Sequence, residues 1–115
     1  STTPEAITES VESILIRYNL SYEINWLQGG NPFLNTETTL IESVKNSITS
    51  IIDIVPDQTT DGGTSDGRFV APTGAEVVEL GPVNDSIHKI DERVKIEDLT
   101  QLSEVYKNIL KSLLT

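Results

Sequence analysis

Residues 81–92 read GPVNDSIHKIDE and contain the one histidine of the chain, His88. A short apolar run, residues 75–80, precedes this stretch and is typical of a buried strand, and a long amphipathic helix follows it. In open α/β sheets, catalytic and ligand-binding groups lie in loops just beyond the carboxyl ends of strands. The stretch therefore predicts a functional loop. The alternative is a surface or hydrogen-bonded histidine, because a metal site needs several convergent ligands.

The composition limits the classes of partner. The 115 residues suffice for one modest domain and carry a formal net charge of -10, which disfavours nucleic acid and anionic membranes as partners. No apolar run approaches the length of a membrane span and no signal segment opens the chain, so we expect a cytoplasmic protein. The absence of cysteine excludes disulfides and thiolate metal sites. The absence of methionine indicates either a removed initiator or a piece of a longer protein.

Periodicity predicts helices that alternate with short strands. Thr2-Thr3-Pro4-Glu5 is typical of a helix start, and a strand is expected over residues 22–26. A second helix, capped by Asn35 or Thr36, is predicted to carry its apolar stripe from residue 40 to 52 and to end at Pro56. A short helix is expected at residues 69–71, a buried strand over 75–80, and a long helix over 96–114. This alternation favours the α/β class.

A second notable stretch is glycine-rich. Residues 61–69 read DGGTSDGRF, in which paired glycines allow close approach of backbone N–H groups to a ligand. Such a loop can bind a carboxylate or phosphate, and a simple turn is the alternative. The loop lacks the Gly-Lys-Ser/Thr of a P-loop and the spacing of an EF-hand. We expect Arg68 to form a structural ion pair with a nearby aspartate rather than to bind an anion.

The two stretches together resemble the C-terminal part of bacterial succinyl-diaminopimelate desuccinylases, a family of the dizinc peptidase and deacetylase clan. The resemblance rests on GGTSDGRF at 62–69, ELGPVN at 79–84 and IHK at 87–89, with YEINW at 22–26 and PFL at 32–34 upstream. It covers nearly the whole chain in order. Where the family has Ser-Gly before x-Pro-Phe, this chain has Gly29-Gly30, so the serine hydroxyl that contacts substrate in the family is absent.

The resemblance implies a fold and a domain division. Residues 1–33 would be the C-terminal piece of an inserted α+β lid domain that mediates homodimerisation. Residues 34–115 would form the C-terminal part of an α/β catalytic domain that binds two zinc ions per subunit, with cobalt as an alternative metal. The parent enzyme would hydrolyse N-succinyl-LL-2,6-diaminopimelate, a dicarboxylate amide, to succinate and LL-2,6-diaminopimelate in lysine and peptidoglycan precursor biosynthesis.

The resemblance also implies roles for particular residues. His88 would be a zinc ligand, and Gly63, Thr64 and Asn84 would bind the substrate. Glu92, four residues beyond the histidine, is a candidate to hold the second imidazole nitrogen or is a surface glutamate. The remaining metal ligands and the catalytic base have no counterpart in this chain, so we expect the chain by itself to be inactive.

Three alternative functions remain open from the sequence, and a further alternative treats residues 1–33 as a dimerisation element only. Two lie in the same clan: an acetylornithine deacetylase, which keeps a similar histidine motif but differs in the glycine-rich block, and an aminoacylase. The third is a non-catalytic acidic binding module that uses the glycine-rich loop for an anion or calcium. Such a module would be monomeric and would fold without zinc.

Overall fold

The computed structural model describes residues 3–61 and 63–115, and regular structure in this part of the chain is helical. The helices are α1 (Pro4–Arg17), α2 (Thr39–Ile52), the short α3 (Gly67–Val70), which runs into a 3-10 turn (Ala71–Thr73), and α4 (Ile96–Leu114). All four helices predicted from the sequence are present, and the bounds of the last are those expected. Among the described residues no helix is both long and apolar enough to cross a membrane.

The start of α1 is fixed by local chemistry. The Thr3 hydroxyl accepts a hydrogen bond from the Ala6 N–H at 3.2 Å, and Pro4 occupies the first turn, where its missing N–H has no partner to lose. The helix buries none of its residues. Farther along the chain, the Trp26 indole N–H donates to a Glu12 carboxylate oxygen at 3.3 Å. Of the apolar stripe of α1, Ile7 and Ile14 are exposed, whereas Val11 and Leu15 are half-buried.

Helices α2 and α4 pack together and form the core. Val105 is fully buried, and Ile109 and Val44 are 6% and 8% exposed. Ser43 and Ser47 are also buried on α2, and such small side chains let two helix backbones approach closely. Partly buried apolar side chains of α2 and of residues 78–80 pack against this core: Leu40, Ile48, Ile52, Val78 and Leu80.

The predicted strand over residues 75–80 is not a strand. In its place, the side chain of Asn35 makes the two hydrogen bonds that a neighbouring strand would make. Its amide nitrogen donates to the Val77 carbonyl at 2.7 Å, and its amide oxygen accepts from the Val77 N–H at 3.0 Å. The segment is also only partly buried, not buried as predicted, with Val78 and Leu80 packed against the core. A strand also needs a neighbouring backbone, and none of the described residues supplies one.

Residues 22–26 likewise form no strand, although their apolar and polar side chains alternate. Alternation predicts which side chains share a face, whereas a strand exists only when its backbone N–H and C=O groups pair with another strand. The α/β class predicted for the chain is therefore not seen within residues 3–61 and 63–115. This part of the protein consists of helices joined by irregular segments.

The caps of α2 also differ from expectation. Thr38, not Asn35 or Thr36, is the N-cap residue, and its side chain makes no capping hydrogen bond. The cap comes instead from Glu76, whose Oε2 accepts from the Leu40 N–H at 3.0 Å. A carboxylate suits this position because the N-terminal end of a helix carries partial positive charge. The helix ends at Asp53, which has a φ of 60°, before it reaches Pro56.

The chain divides into two compact units. Within the described residues, the first comprises 3–34 and 63–75, and the second comprises 35–61 and 76–115. The first contains α1, α3 and the glycine-rich loop. The second contains the α2–α4 core and residues 81–92. The assignment of residues 1–33 to a lid domain and of 34–115 to a catalytic domain stays a prediction.

Candidate functional site

The loop that carries His88 follows a segment held firmly against the helical core. The Tyr106 hydroxyl donates a hydrogen bond to the Leu80 carbonyl, one residue before the loop begins. Together with the Asn35 contact at Val77, this holds both ends of residues 77–80 in place within the second unit. The chain then makes consecutive turns through residues 85–88 and 90–91. The position of His88 is thus set relative to the core by the segment that precedes it.

His88 is exposed and occupies a left-handed backbone conformation, with a φ of 59°. Among the described residues, none forms a hydrogen bond with its imidazole. A neutral imidazole nitrogen is a ligand that zinc accepts readily. The chemistry of this side chain therefore fits a metal ligand.

The described residues contain no group of three or more histidine, cysteine, aspartate or glutamate side chains that could hold a metal ion. Among the described residues His88 therefore has no companion ligands within reach, and its role as a metal ligand stays a prediction. Glu92 is exposed, and no hydrogen bond joins it to His88. Its role as the partner of the second imidazole nitrogen stays a prediction.

Asn84 lies four residues before His88 on the same loop. Its backbone carbonyl accepts from the Ile87 N–H at 3.0 Å, which closes the first turn of the loop. Its side chain is exposed. The side-chain amide can therefore present both a donor and an acceptor to a ligand, as the predicted substrate contact requires.

The glycine-rich loop presents its candidate residues to solvent. Gly63 and Thr64 are exposed, and no atom lies within 4 Å of where a Cβ on Gly63 would stand. The Ser65 hydroxyl accepts from the Gly67 N–H at 2.9 Å and so supports the turn into α3. The neighbouring Gly62, part of the same motif, lies outside the described residues. The backbone at Gly63 and the Thr64 hydroxyl are open to a ligand, and their substrate contact stays a prediction.

Arg68 behaves differently from expectation. It forms no ion pair with a described aspartate; its guanidinium carbon instead lies 4.6 Å from the centre of the Phe69 ring. Its Nε is buried without a hydrogen-bond partner among the described residues. Its side chain crosses Gly30 so closely that a Cβ there would stand 2.5 Å from the Arg68 Cδ. Cation–π attraction and the space over a glycine hold this side chain in place, in the same unit as the glycine-rich loop.

Sequence reasoning missed the side chains that hold these loops. Ser86 hydrogen-bonds to both backbone groups of Arg93, and Asn35 does the same to Val77. Serine and asparagine are common in loops for many local reasons, so neither carried a signal that named its distant partner. For Arg68, the sequence signal was the glycine pair at positions 29 and 30. A glycine permits close approach by another group, and the Arg68 side chain packs over Gly30.

Comparison with known proteins places these loops in a family context. The sequence profile of the peptidase family M20/M25/M40 matches residues 2–112. The chain is 54% identical over 112 residues to the succinyl-diaminopimelate desuccinylase of Methylococcus capsulatus. It is 52% identical to that of Thioalkalivibrio sulfidiphilus and 51% identical to that of Marinobacter nauticus, each over 112 residues.

Each of these alignments covers 97% of the chain but only 30% of the relative. The chain thus spans about a third of the length of the curated relatives it matches. The match over almost every residue, including both loops, shows that this chain belongs to the peptidase family M20/M25/M40.

Proposed function

We propose that this chain is part of a metal-dependent amidohydrolase that cleaves N-succinyl-LL-2,6-diaminopimelate to succinate and LL-2,6-diaminopimelate. The observation that carries the proposal is the 54% identity over 97% of the chain to a protein named succinyl-diaminopimelate desuccinylase. Further relatives with the same name match over the same span at 51% and 52% identity. These names favour a desuccinylase over the acetylornithine deacetylase and aminoacylase alternatives.

His88 would contribute one ligand to a zinc site that the longer protein completes. Its exposed imidazole supports this role, and metal dependence is general in the family. Zinc, when bound, polarises the amide carbonyl and activates a water for attack. The catalytic base and the remaining ligands would lie in parts of the protein outside this chain. We expect the chain alone to have no activity for that reason.

Gly63, Thr64 and Asn84 would bind the carboxylates of the substrate. The exposed N–H of Gly63, the Thr64 hydroxyl and the Asn84 amide are all hydrogen-bond donors, and donors to a carboxylate form shorter and stronger bonds than neutral pairs. Holding the carboxylates of the substrate orients its amide for attack.

The remaining parts of the proposal concern the whole protein. We place residues 1–33 in a lid domain that mediates homodimerisation and residues 34–115 in the catalytic domain. We also place the enzyme in the cytoplasm, where its biosynthetic substrate would be made. The exposed apolar residues of α1, among them Ile7 and Ile14, support burial of this helix in the longer protein.

The test replaces His88 with alanine in the full-length protein. His88→Ala should remove most of the activity and about one equivalent of zinc, because a ligand is lost. Gln101→Ala, at an exposed position of α4, serves as the control and should keep both activity and metal. Comparison of succinyl and acetyl substrates on the wild-type protein decides the acyl group. Full zinc content and wild-type turnover in His88→Ala would contradict the metal assignment.

A further inference from the structure

Ser86 closes the part of the loop that contains His88. Its hydroxyl donates a hydrogen bond to the Arg93 carbonyl at 2.8 Å and accepts one from the Arg93 N–H at 2.9 Å. A single half-buried side chain thereby satisfies both backbone groups of a residue seven positions away. These two hydrogen bonds close a loop of residues 86–93, and His88 is one of the residues in this loop.

Two residues of this loop adopt backbone conformations that are unfavourable unless neighbouring contacts stabilise them. His88 and Asp91 both have left-handed φ values, 59° and 61°. For residues with a Cβ this region is unfavourable and persists where surrounding contacts impose it. The Lys89 N–H donates to the Ser86 carbonyl at 3.1 Å, and the Lys89 ammonium donates to the Asp85 carbonyl at 2.6 Å. Ser86 is therefore the centre of the contacts that impose the backbone conformation at His88.

We propose that Ser86 is a positioning residue for His88, which fixes the direction in which the imidazole approaches the metal; this rests on the proposed role of His88 as a zinc ligand. The hydroxyl is suited to the task because one short side chain supplies both a donor and an acceptor. Without it, the Arg93 backbone groups would bond to water and the loop would sample more conformations. The metal-competent fraction would fall, and apparent metal affinity falls in proportion to that fraction.

The size of the effect follows from comparable sites. Loss of an outer hydrogen-bond partner that orients a metal ligand typically weakens metal binding roughly 10- to 100-fold. Ser86 acts on the backbone that carries the ligand rather than on the imidazole itself. We expect Ser86→Ala to fall at the lower end of that range, at about tenfold. Ser86→Thr keeps the hydroxyl and should bind zinc within about threefold of wild type.

The experiment uses the full-length protein stripped of metal and titrated with zinc in competition with a chelator of known affinity. Amide hydrogen exchange of residues 86–93 in the metal-free protein gives a second reading that does not depend on activity. Ser86→Ala should weaken zinc binding about tenfold and accelerate exchange across the loop. Ser103→Ala, at an exposed position of α4, is the matched serine control and should change neither. If Ser86→Ala does not fold, Ser86→Thr against Ser86→Val gives the same comparison at nearly constant shape.

The outcomes separate this inference from the proposed function. Wild-type zinc affinity in Ser86→Ala, or equal affinity in Ser86→Thr and Ser86→Val, would overturn the positioning role. If His88→Ala loses zinc while Ser86→Ala does not, only the role of Ser86 fails. If His88→Ala itself retains all of its zinc, the metal assignment fails and the role of Ser86 fails with it.

Discussion

The side chain of Asn35 offers a sharp test of how this fold is held together. Replacing Asn35 with alanine removes both hydrogen bonds to Val77, at 2.7 and 3.0 Å. A typical intramolecular hydrogen bond contributes a net 0.5–1.5 kcal/mol, so the two together stabilise the segment by about 1–3 kcal/mol. At about 1.4 kcal/mol for each factor of ten, exchange of the Val77 amide should accelerate roughly 5- to 150-fold.

The assay is native-state amide hydrogen exchange of peptides that cover residues 76–80 in the full-length protein. It reports on this segment directly, because the Val77 N–H is itself one of the two donors. A two-state unfolding experiment would serve less well in a longer protein for which two domains are proposed. Asn35→Asp keeps an acceptor for the N–H but places a carboxylate against the Val77 carbonyl, so exchange should also accelerate.

Asn31→Ala is the matched control. The Asn31 side chain accepts a hydrogen bond from Gln28, an exposed contact three residues away, and should leave exchange at Val77 unchanged. Unaltered exchange of residues 76–80 in Asn35→Ala would refute the argument that this side chain replaces a neighbouring strand.

Four further predictions follow from the same contacts. Val105→Ala should lower the local stability of α2 and α4 by about 2 kcal/mol, because it removes two fully buried methyl groups, whereas Val55→Ala, at a position 77% exposed, should stay within about 0.5 kcal/mol of wild type by hydrogen exchange. Glu76→Ala should destabilise the first turn of α2 by about 1 kcal/mol, seen as faster exchange there and unchanged exchange in α1. Thr64→Val and Asn84→Ala should each lower kcat/KM for the succinyl substrate roughly 10- to 100-fold with zinc content intact, and unchanged values in both variants would show that the two loops do not bind substrate. The 115-residue chain alone, supplied with zinc, should show no turnover, and measurable zinc-dependent hydrolysis would contradict the incomplete metal site.

The helices were predictable because the forces that define them are local. Thr3 and Pro4 mark the start of α1 through contacts within one turn, and the apolar period over residues 96–114 gave the bounds of α4 without error. The two strands were predicted wrongly for a matching reason. Alternation over residues 22–26 and apolarity over 75–80 describe side chains, while a strand depends on the backbone of another segment.

In the candidate site, too, local motifs were predictable from the sequence and long-range contacts were not. The motifs around Gly63, Thr64, Asn84 and His88 led to the family from sequence alone, and the match over residues 2–112 confirmed it. The contacts that hold these loops were not predictable in the same way. The expected ion pair of Arg68 was wrong, since its side chain packs over Gly30 and Phe69 instead. The sequence offers several aspartates near Arg68 but does not show which groups the fold brings within reach.

By itself, then, the amino-acid sequence determined the helices, the family and the residues that could carry chemistry, because each depends on neighbours along the chain or on a motif. Tertiary structure decided which side chains hold the functional segments. Asn35 and Val77 lie 42 positions apart, and Glu76 caps a helix that begins 37 residues before it. Such pairs meet only in the folded chain, since a hydrogen bond requires an approach of about 3 Å that no pattern of neighbouring residues encodes.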